Sequence, residues 1–206
     1  FKPIDYQDFV SSVEARRETW RRKIETDKSM TVAEPNRGHL AVAALVRRGV
    51  VSHVITQNID GLHQRSGIPA EQVIELHGNA TYAKCLECGQ RHEIAPIKAA
   101  FASDETLPIC DACESDLVKT ATISFGQAMP EAEMRRAEAA TLACDLFIAV
   151  GSSLVVYPAA GFPVVAKRNG AKLAIVNREA TDLDDMADLV VNAEIGQTLG
   201  GAVGLN

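Results

Sequence analysis

Two Cys-x-x-Cys pairs restrict the fold of this chain more than any other feature. Cys85 and Cys88 form the first pair, Cys110 and Cys113 form the second, and twenty-one residues separate Cys88 from Cys110. Each pair places two thiolates on one tight turn, and two such turns complete a tetrahedral metal site. Since thiolates then fill all four positions, the pattern predicts a closed, structural zinc ion with no open position to activate water.

The segment 79–119 holds both pairs and is predicted to fold as a small inserted zinc-ribbon module. It has too few apolar residues to hold itself together, so the metal would supply much of its folding free energy. His92 lies between the pairs and is a further ligand candidate, although we expect a surface histidine. The fifth cysteine, Cys144, lies in an apolar run, where a buried and inert thiol is expected.

Strands alternate with helices over the rest of the chain, 1–78 and 120–206. This pattern predicts an α/β fold with a Rossmann-type parallel sheet. The predicted strands are 51–56, 72–76, 120–125, 145–150, 172–176 and 189–191. The predicted helices are 5–28, 37–48 with Asn36 as its N-cap, a short helix between the strands 51–56 and 72–76, and then 131–142, 158–168 and 194–199.

Polar side chains follow two neighbouring predicted strands at their carboxyl ends, where ligands bind in open α/β sheets. The segment 57–60, Gln-Asn-Ile-Asp, follows the first strand, and His77 follows the second in a turn with Gly78. An amide, a carboxylate and an imidazole would then face one crevice. The alternative is that these are ordinary turn residues and that His77 is a hydrogen-bonded structural histidine.

A third strand end carries a different set of groups. The predicted strand 145–150 runs into Gly151, Ser152 and Ser153, which offer backbone N–H groups and two hydroxyls to a phosphate or a ribose. Such turns are common, so this signal is weak by itself.

Charge and hydropathy exclude some classes of function. The formal net charge is −6, which argues against nucleic acid as the main ligand, because phosphate binding requires a basic face. The sequence has no apolar run of about eighteen residues, so no transmembrane helix is expected.

Longer motifs connect these features to a known family. The motif TQNIDGLHQRSG at 56–67 is followed by ELHG at 75–78, and then by ISFGQAMP, GSSLVVYPAAGFP and LAIVN in that order. Together with the cysteine pairs, this pattern resembles the sirtuins, the NAD-dependent protein-lysine deacylases, over nearly the whole chain. Within that family the segment EARRETWRR at 14–22 is most similar to the mitochondrial-type and bacterial class.

The resemblance lacks the family's opening segment. Sirtuins begin with a strand and a glycine-rich GAGxS…GIPDFR loop, and this sequence starts after that point. We therefore expect an N-terminally truncated sirtuin, without the first strand and its loop, that binds NAD poorly by itself.

The resemblance implies a reaction and assigns roles to particular residues. Acyl groups would be removed from protein lysines, giving nicotinamide and O-acyl-ADP-ribose, with NAD as the co-substrate and one structural zinc ion. His77 matches the family's general base, and Asn58 and Asp60, with Gln57 and Ile59 beside them, match the positions that hold nicotinamide.

Further positions match the family's binding segments. Gly151, Ser152 and Ser153 resemble the turn that holds phosphate and ribose, and Asn177 resembles the contact with the adenine-side ribose. The acyl-lysine peptide would add as an extra strand along the positions Ile123, Phe125 and Gly126. The implied partners are acyl-lysine proteins or peptides, with no direct nucleic-acid or membrane partner.

Two departures affect the peptide side of this comparison. Gln127 stands where the family usually has Glu, and Thr120-Ala121 replaces a common proline-containing start. Both concern peptide preference more than catalysis.

Two alternative functions remain open at this point. One is a protein mono-ADP-ribosyltransferase on the same scaffold, and the other is a zinc-stabilised fragment without turnover. The expected compartment is the cytoplasm for a bacterial source, or the mitochondrial matrix for a eukaryotic one.

Overall fold

The computed structural model describes residues 3–30 and 32–205. The strands of these residues are β1 (Val54–Thr56), β2 (Val73–Glu75), β3 (Gly78–Cys85), β4 (Arg91–Glu93), β5 (Val118–Thr122), β6 (Leu146–Val150), β7 (Lys172–Val176) and β8 (Leu189–Val191). The helices are α1 (Tyr6–Ser11), α2 (Val13–Met30), α3 (Arg37–Arg47), α4 (Leu62–Arg65), α5 (Ile94–Asp104), α6 (Glu131–Ala143), α7 (Gly161–Arg168) and α8 (Ile195–Ala202).

These residues divide into two compact units. The first unit comprises the described residues up to Ala33, the segment Asn58–Gly61 and the segment His77–Pro130. The second unit comprises Glu34–Gln57, Leu62–Leu76 and the described residues from Glu131 onward. The cysteine module thus shares a unit with α1, α2 and β5, whereas the sequence predicts a module of 79–119 alone.

The first unit is built on a three-stranded antiparallel sheet in the order β4-β3-β5. Its core contains Trp20 from α2, Phe101 from α5 and Val118 from β5, packed with two of the cysteines. Trp20 is 1% exposed, and its indole N–H donates to the Val118 carbonyl oxygen at 3.3 Å. An aromatic side chain from outside the segment 79–119 therefore completes the core of the cysteine module.

The predicted long helix from residue 5 to residue 28 is two helices in the structure. Ser12, between α1 and α2, has extended backbone angles (φ −128°, ψ 121°), and its side-chain oxygen accepts from the Ala15 N–H. A serine hydroxyl competes for backbone N–H groups and favours helix ends over helix interiors. Hydrophobic periodicity alone did not reveal this break.

The second unit holds parallel strands, as predicted for a Rossmann-type fold. The strand β1 pairs with β2, and β6, β7 and β8 form a second sheet in that order. Along β7 the side chains alternate between two clusters: Leu173 and Ile175 pack with Ala149, whereas Val176 packs with residues of α3 and α8. Burial on both faces is typical of a parallel sheet in a layered α/β domain.

Most predicted elements of the second unit are present with small shifts at their ends. Asn36 caps α3 as predicted, since its side-chain oxygen accepts from the His39 N–H at 3.1 Å. The strand predicted over 51–56 is shorter, because only Val54–Thr56 pairs with β2. No helix in the part of the chain that the structure describes is long and apolar enough to span a bilayer.

The predicted strand 120–125 belongs to a different sheet from the one expected. In the structure it is β5, which pairs antiparallel with β3 in the first unit. The helix α5, which lies between the cysteine pairs, was not predicted either. The first error arises because a short apolar segment does not specify its partner strand.

Replacing Trp20 tests how strongly α2 supports the first unit. Trp20→Ala should lower the free energy of unfolding by about 4 kcal/mol, because it leaves a large cavity and an unpaired carbonyl. Urea unfolding is followed by circular dichroism and not by tryptophan fluorescence, because the substitution removes the only tryptophan. The control is Val13→Ala on the same helix, where the side chain is 46% exposed and a change within about 0.5 kcal/mol is expected. Equal effects of the two substitutions would contradict this role.

Candidate active site and metal centre

The four cysteines of the two pairs converge, as the sequence predicts. Their sulfur atoms all lie within 4.8 Å of one another, with 3.6 Å between Cys85 and Cys113 and 3.5 Å between Cys88 and Cys110. A zinc ion with bonds of about 2.3 Å to four sulfurs in a tetrahedron sets them about 3.8 Å apart. All four are free thiols, so the geometry and the donor set fit one structural zinc ion.

The turn that contains the first pair also stabilises negative charge. Burial raises the pKa of the Cys85 thiol, but the backbone N–H groups of Cys88 and Glu87 outweigh it, and the pKa falls to about 7. Backbone N–H groups directed at a sulfur atom favour the thiolate, which is the form that binds a metal. This local geometry follows from the Cys-x-x-Cys turn itself.

His92 lies beside this cluster and is not the surface residue that the sequence suggested. Its side chain is only 14% exposed, and its Nδ1 atom lies 3.8 Å from a carboxylate oxygen of Asp111. One of its ring nitrogens lies within 4.8 Å of the Cys110 sulfur. The side chain is largely covered because β4 pairs with β3, which places His92 opposite Ala83. Alternation along a three-residue strand gave no signal of this burial.

The segment Asn58–Gly61 and the start of β3 lie side by side in the first unit. The Ala80 N–H donates to the Ile59 carbonyl oxygen at 2.7 Å. This bond joins the turn that carries Asn58 and Asp60 to a residue three positions after His77. Asn58 is exposed, whereas Asp60 and His77 are half-buried. The structure therefore brings together the two segments that the sequence proposes as the catalytic site.

His77 is also joined to the candidate peptide-binding segment. The Ile123 N–H donates to the His77 carbonyl oxygen at 2.9 Å, so the chain that leaves β5 runs alongside His77. Phe125 is 75% exposed, and its carbonyl oxygen accepts from the Tyr6 N–H at 2.9 Å. Gly126 has φ +76° and open space around it. Ile123, Phe125 and Gly126 thus lie on one segment, the candidate peptide edge, which begins beside His77 and whose Phe125 and Gly126 are exposed.

Gly78 makes this approach possible. It has φ +72°, and a Cβ atom added there would lie 2.0 Å from the Ala121 carbonyl oxygen. An L side chain is strained at this angle and would also displace the backbone of β5. The glycine after His77 in the motif ELHG is therefore required by the pairing of β3 with β5.

Lys119 is a buried cation near the same segment, and the sequence gave it no role. Its side chain is 3% exposed, and burial lowers its pKa from 10.5 to about 8. The sequence feature that could have indicated its burial is its place within a run of β-branched and small residues, Val-Lys-Thr-Ala-Thr.

The other candidate residues lie in the second unit. Gly151 follows β6 and Asn177 follows β7, and these strands pair up to Val150 and Val176, so the two residues are neighbours at the carboxyl edge of the sheet. The Leu154 N–H donates to the Ser152 hydroxyl at 3.2 Å. Gln57, Gly151, Ser152, Ser153 and Asn177 are all in this unit. Adjacent strand ends with a glycine turn fit the ribose and phosphate groups of a nucleotide.

Gly78→Ala tests the close approach of β3 and β5. We expect a loss of at least about 3 kcal/mol in the free energy of unfolding, because backbone strain and a collision act together. The matched control is Gly67→Ala, where φ is +93° but nothing lies within 4 Å of the added Cβ. That change should cost about 1 kcal/mol from backbone strain alone, as measured by urea unfolding. Similar losses for both variants would show that Ala121 is not the obstacle.

Removing one cysteine tests the metal centre. Cys88→Ser should abolish stoichiometric zinc and destabilise the first unit, because three thiolates leave the site incomplete. The measurement is zinc content by mass spectrometry together with thermal unfolding. Cys144→Ser is the control, since Cys144 lies outside the cluster, and it should keep one zinc ion per chain. Retention of one zinc ion by Cys88→Ser would contradict the four-thiolate assignment.

Comparison with known proteins agrees with this geometry. The sequence model of the Sir2 family matches residues 2–158. The chain is 58% identical to NAD-dependent protein deacetylase 1 of Bradyrhizobium diazoefficiens, over 98% of this chain and 79% of the relative. It is 53% identical to the NAD-dependent protein deacetylase of Rhodopseudomonas palustris, over 98% of this chain and 80% of that protein.

Solved structures give the same result. A structure of Sir2 bound to an acetylated peptide superposes with a TM-score of 0.88 at 35% identity, covering 98% of this chain and 84% of that one. A complex of Sir2 with a p53 peptide and NAD⁺ superposes with a TM-score of 0.82 at 34% identity, covering 99% of this chain and 85% of that one. From its sequence, its fold and its cysteine cluster, the chain belongs to the Sir2 family, the sirtuins.

Proposed function

We propose that this chain is an NAD-dependent protein-lysine deacylase that releases nicotinamide and forms O-acyl-ADP-ribose. The observation that carries the proposal is the 2.9 Å hydrogen bond from the Ile123 N–H to the His77 carbonyl oxygen. This bond supports the proposal because it joins the candidate base to the segment Ile123–Gly126, along which an extended acyl-lysine peptide would lie. Family membership supports the same reaction, since the relatives described above are NAD-dependent protein deacetylases.

When bound, NAD supplies the glycosidic bond between nicotinamide and ribose that breaks in this reaction. We propose that Asn58 and Asp60 hold the carboxamide, because a carboxylate accepts from its N–H groups and an amide pairs with its oxygen. Gln57 would add a second amide, and Ile59 an apolar wall. Contacts that are stronger in the transition state, where the glycosidic bond is stretched, lower the activation barrier. Contacts that are equally strong in the ground state and in the transition state do not.

His77 is proposed as the general base that removes a proton from a ribose hydroxyl. Histidine is the side chain that changes protonation near neutral pH, which suits this step. Its position in a turn closed by Gly78 fixes its backbone beside Ile123. The imidazole would therefore act next to the acyl-lysine.

The remaining candidates divide between the two substrates. Gly151, Ser152 and Ser153 would bind phosphate and ribose through backbone N–H and hydroxyl groups, and Asn177 would contact the adenine-side ribose. Ile123, Phe125 and Gly126 would bind an acyl-lysine peptide by strand addition, in which backbone hydrogen bonds give affinity and side-chain pockets give specificity. The partners are therefore acyl-lysine proteins.

The zinc ion has no proposed part in the chemistry. Four thiolates from Cys85, Cys88, Cys110 and Cys113 would fill its coordination sphere and leave no position for water. Its contribution is the folding free energy of the module that contains β3.

We also propose the cytoplasm as the compartment. The relatives described above are bacterial proteins, and four reduced thiols suit a reducing environment. The mitochondrial matrix would apply to a eukaryotic source.

Nicotinamide release tests the function and the base together. The protein with an acetyl-lysine peptide and a saturating concentration of NAD should release nicotinamide, and His77→Ala should slow deacylation by about 10²-fold or more, because a general base contributes about 10²- to 10⁴-fold. His53→Ala, an exposed histidine outside the proposed site, is the matched control and should keep full activity.

Three outcomes separate the candidate functions. Release that depends on the peptide supports a deacylase. Release without peptide, with label appearing on the protein, would instead indicate mono-ADP-ribosyl transfer, and His77→Ala would then spare it. No release under either condition would mean that the chain lacks turnover.

A further inference from the structure

A buried ammonium group underlies the candidate peptide edge. Lys119 lies on β5, and its Nζ donates to the carbonyl oxygen of Thr122, which immediately precedes that edge. Nζ also contacts the Thr120 carbonyl oxygen at 3.3 Å and the Gln127 side-chain oxygen at 3.5 Å. One side chain thus connects the strand before the edge to the residue after it.

Gln127 closes the edge into a defined loop. Its side-chain oxygen accepts from the Ser124 N–H at 3.1 Å, and its own N–H donates to the Ser124 carbonyl oxygen at 3.0 Å. The same side-chain oxygen is the one that Lys119 contacts. The residues Ile123–Gly126 are therefore bracketed by two side chains that contact each other.

The Lys119 ammonium group contacts neutral acceptors and forms no ion pair among the described residues. Its acceptors among the described residues are two backbone carbonyls and the amide oxygen of Gln127, and no described carboxylate lies within 4.0 Å. The titratable and charged side chains on the elements bonded to β5 and to this segment are His77, with Tyr82, Lys84 and Cys85 on β3, Tyr6 and Asp8 on α1, and Arg16 on α2 with its partner Asp116. Burial is what lowers the pKa of Lys119 to about 8.

We propose that Lys119 and Gln127 form a latch that holds Ile123–Gly126 in the shape required to bind the acyl-lysine peptide. Both are positioning residues, since they support the edge from behind, and the latch rests on the proposed deacylase function. A peptide that adds beside this segment binds through backbone N–H and C=O groups, so its affinity depends on their alignment. The latch should therefore set the KM for the peptide, and leave kcat and the KM for NAD nearly unchanged.

The first test separates binding from catalysis. Lys119→Met keeps the length of the side chain and removes the donor, and we expect the peptide KM to rise on the order of tenfold, as for the loss of a charged hydrogen bond. The control is Lys84→Met, an exposed lysine opposite Lys119 on β3, which should leave the peptide KM unchanged. Gln127→Ala should raise the peptide KM in the same direction, and it provides a second variant if Lys119→Met does not fold.

The second test uses pH and an isosteric change. Below about pH 8 Lys119 carries its proton and the latch holds; as the pH rises through the pKa of about 8, the charge is lost and the peptide KM should increase. Gln127→Glu places a carboxylate 3.5 Å from Nζ in this geometry, which raises the pKa of Lys119 and should shift the increase to higher pH. If Lys119 and Gln127 had only a structural role, Gln127→Glu would not shift the pH dependence of the peptide KM.

Failure of the latch and failure of the proposed function give different results. If the wild-type protein shows no peptide-dependent nicotinamide release, the proposed function fails. If the wild type is active but Lys119→Met and Gln127→Ala keep the wild-type peptide KM, the latch is overturned. A fall in kcat at unchanged peptide KM would also overturn it, since it would place Lys119 in the chemical step.

Discussion

The pairing of β3 with β5 is the constraint on which the first unit depends. At one end of this ladder Cys85 pairs with Val118, beside the sulfur cluster, and at the other end Gly78 pairs with Thr122, beside His77. The register shifts between Gly78 and Ala83. A metal site at the cysteine end therefore fixes the pairing of Ala83–Cys85 with Val118–Thr120, where a slip of one residue would turn every side chain to the opposite face. A structural zinc ion would thus stabilise the strand that begins beside His77 without any contact with substrate.

The second unit presents its candidate nucleotide-binding groups in a different way. Its candidate groups are backbone N–H groups and small polar side chains at the ends of β6 and β7, where the parallel pairing places Gly151 beside Asn177. Gly151 has φ +60°, and an added Cβ would lie 2.7 Å from Ile195 of α8. Close packing of a glycine turn against a helix is what brings backbone groups near a nucleotide. The candidate groups of the second unit are thus backbone N–H groups, hydroxyls and amides, whereas the first unit carries the candidate carboxylate Asp60 and imidazole His77.

Sequence reasoning succeeded where the information was local or contained in a motif, and failed where burial came from a distant partner. The two cysteine turns and the cap at Asn36 each have a cause within a few residues, whereas the need for glycine at position 78 comes from Ala121 on β5. His92 and Lys119 were misjudged or overlooked because neighbouring strands bury them. The helix break at Ser12 and the sheet to which β5 belongs were missed for a related reason, since hydrophobic periodicity identifies an element but not its ends or its neighbours.

By itself, the sequence determined the metal chemistry and the alternation of strands and helices, and it supplied the residues that are proposed to hold an amide or carry a proton. Side-chain type and spacing suffice for these, because ligand identity, turn geometry and hydrophobic period are local properties. Only the tertiary structure decided that β5 runs beside His77, that Trp20 completes the core of the cysteine module, and that Lys119 is a buried cation. These depend on contacts between residues far apart in the chain, and the free energy of burial that selects them is a property of the packed core.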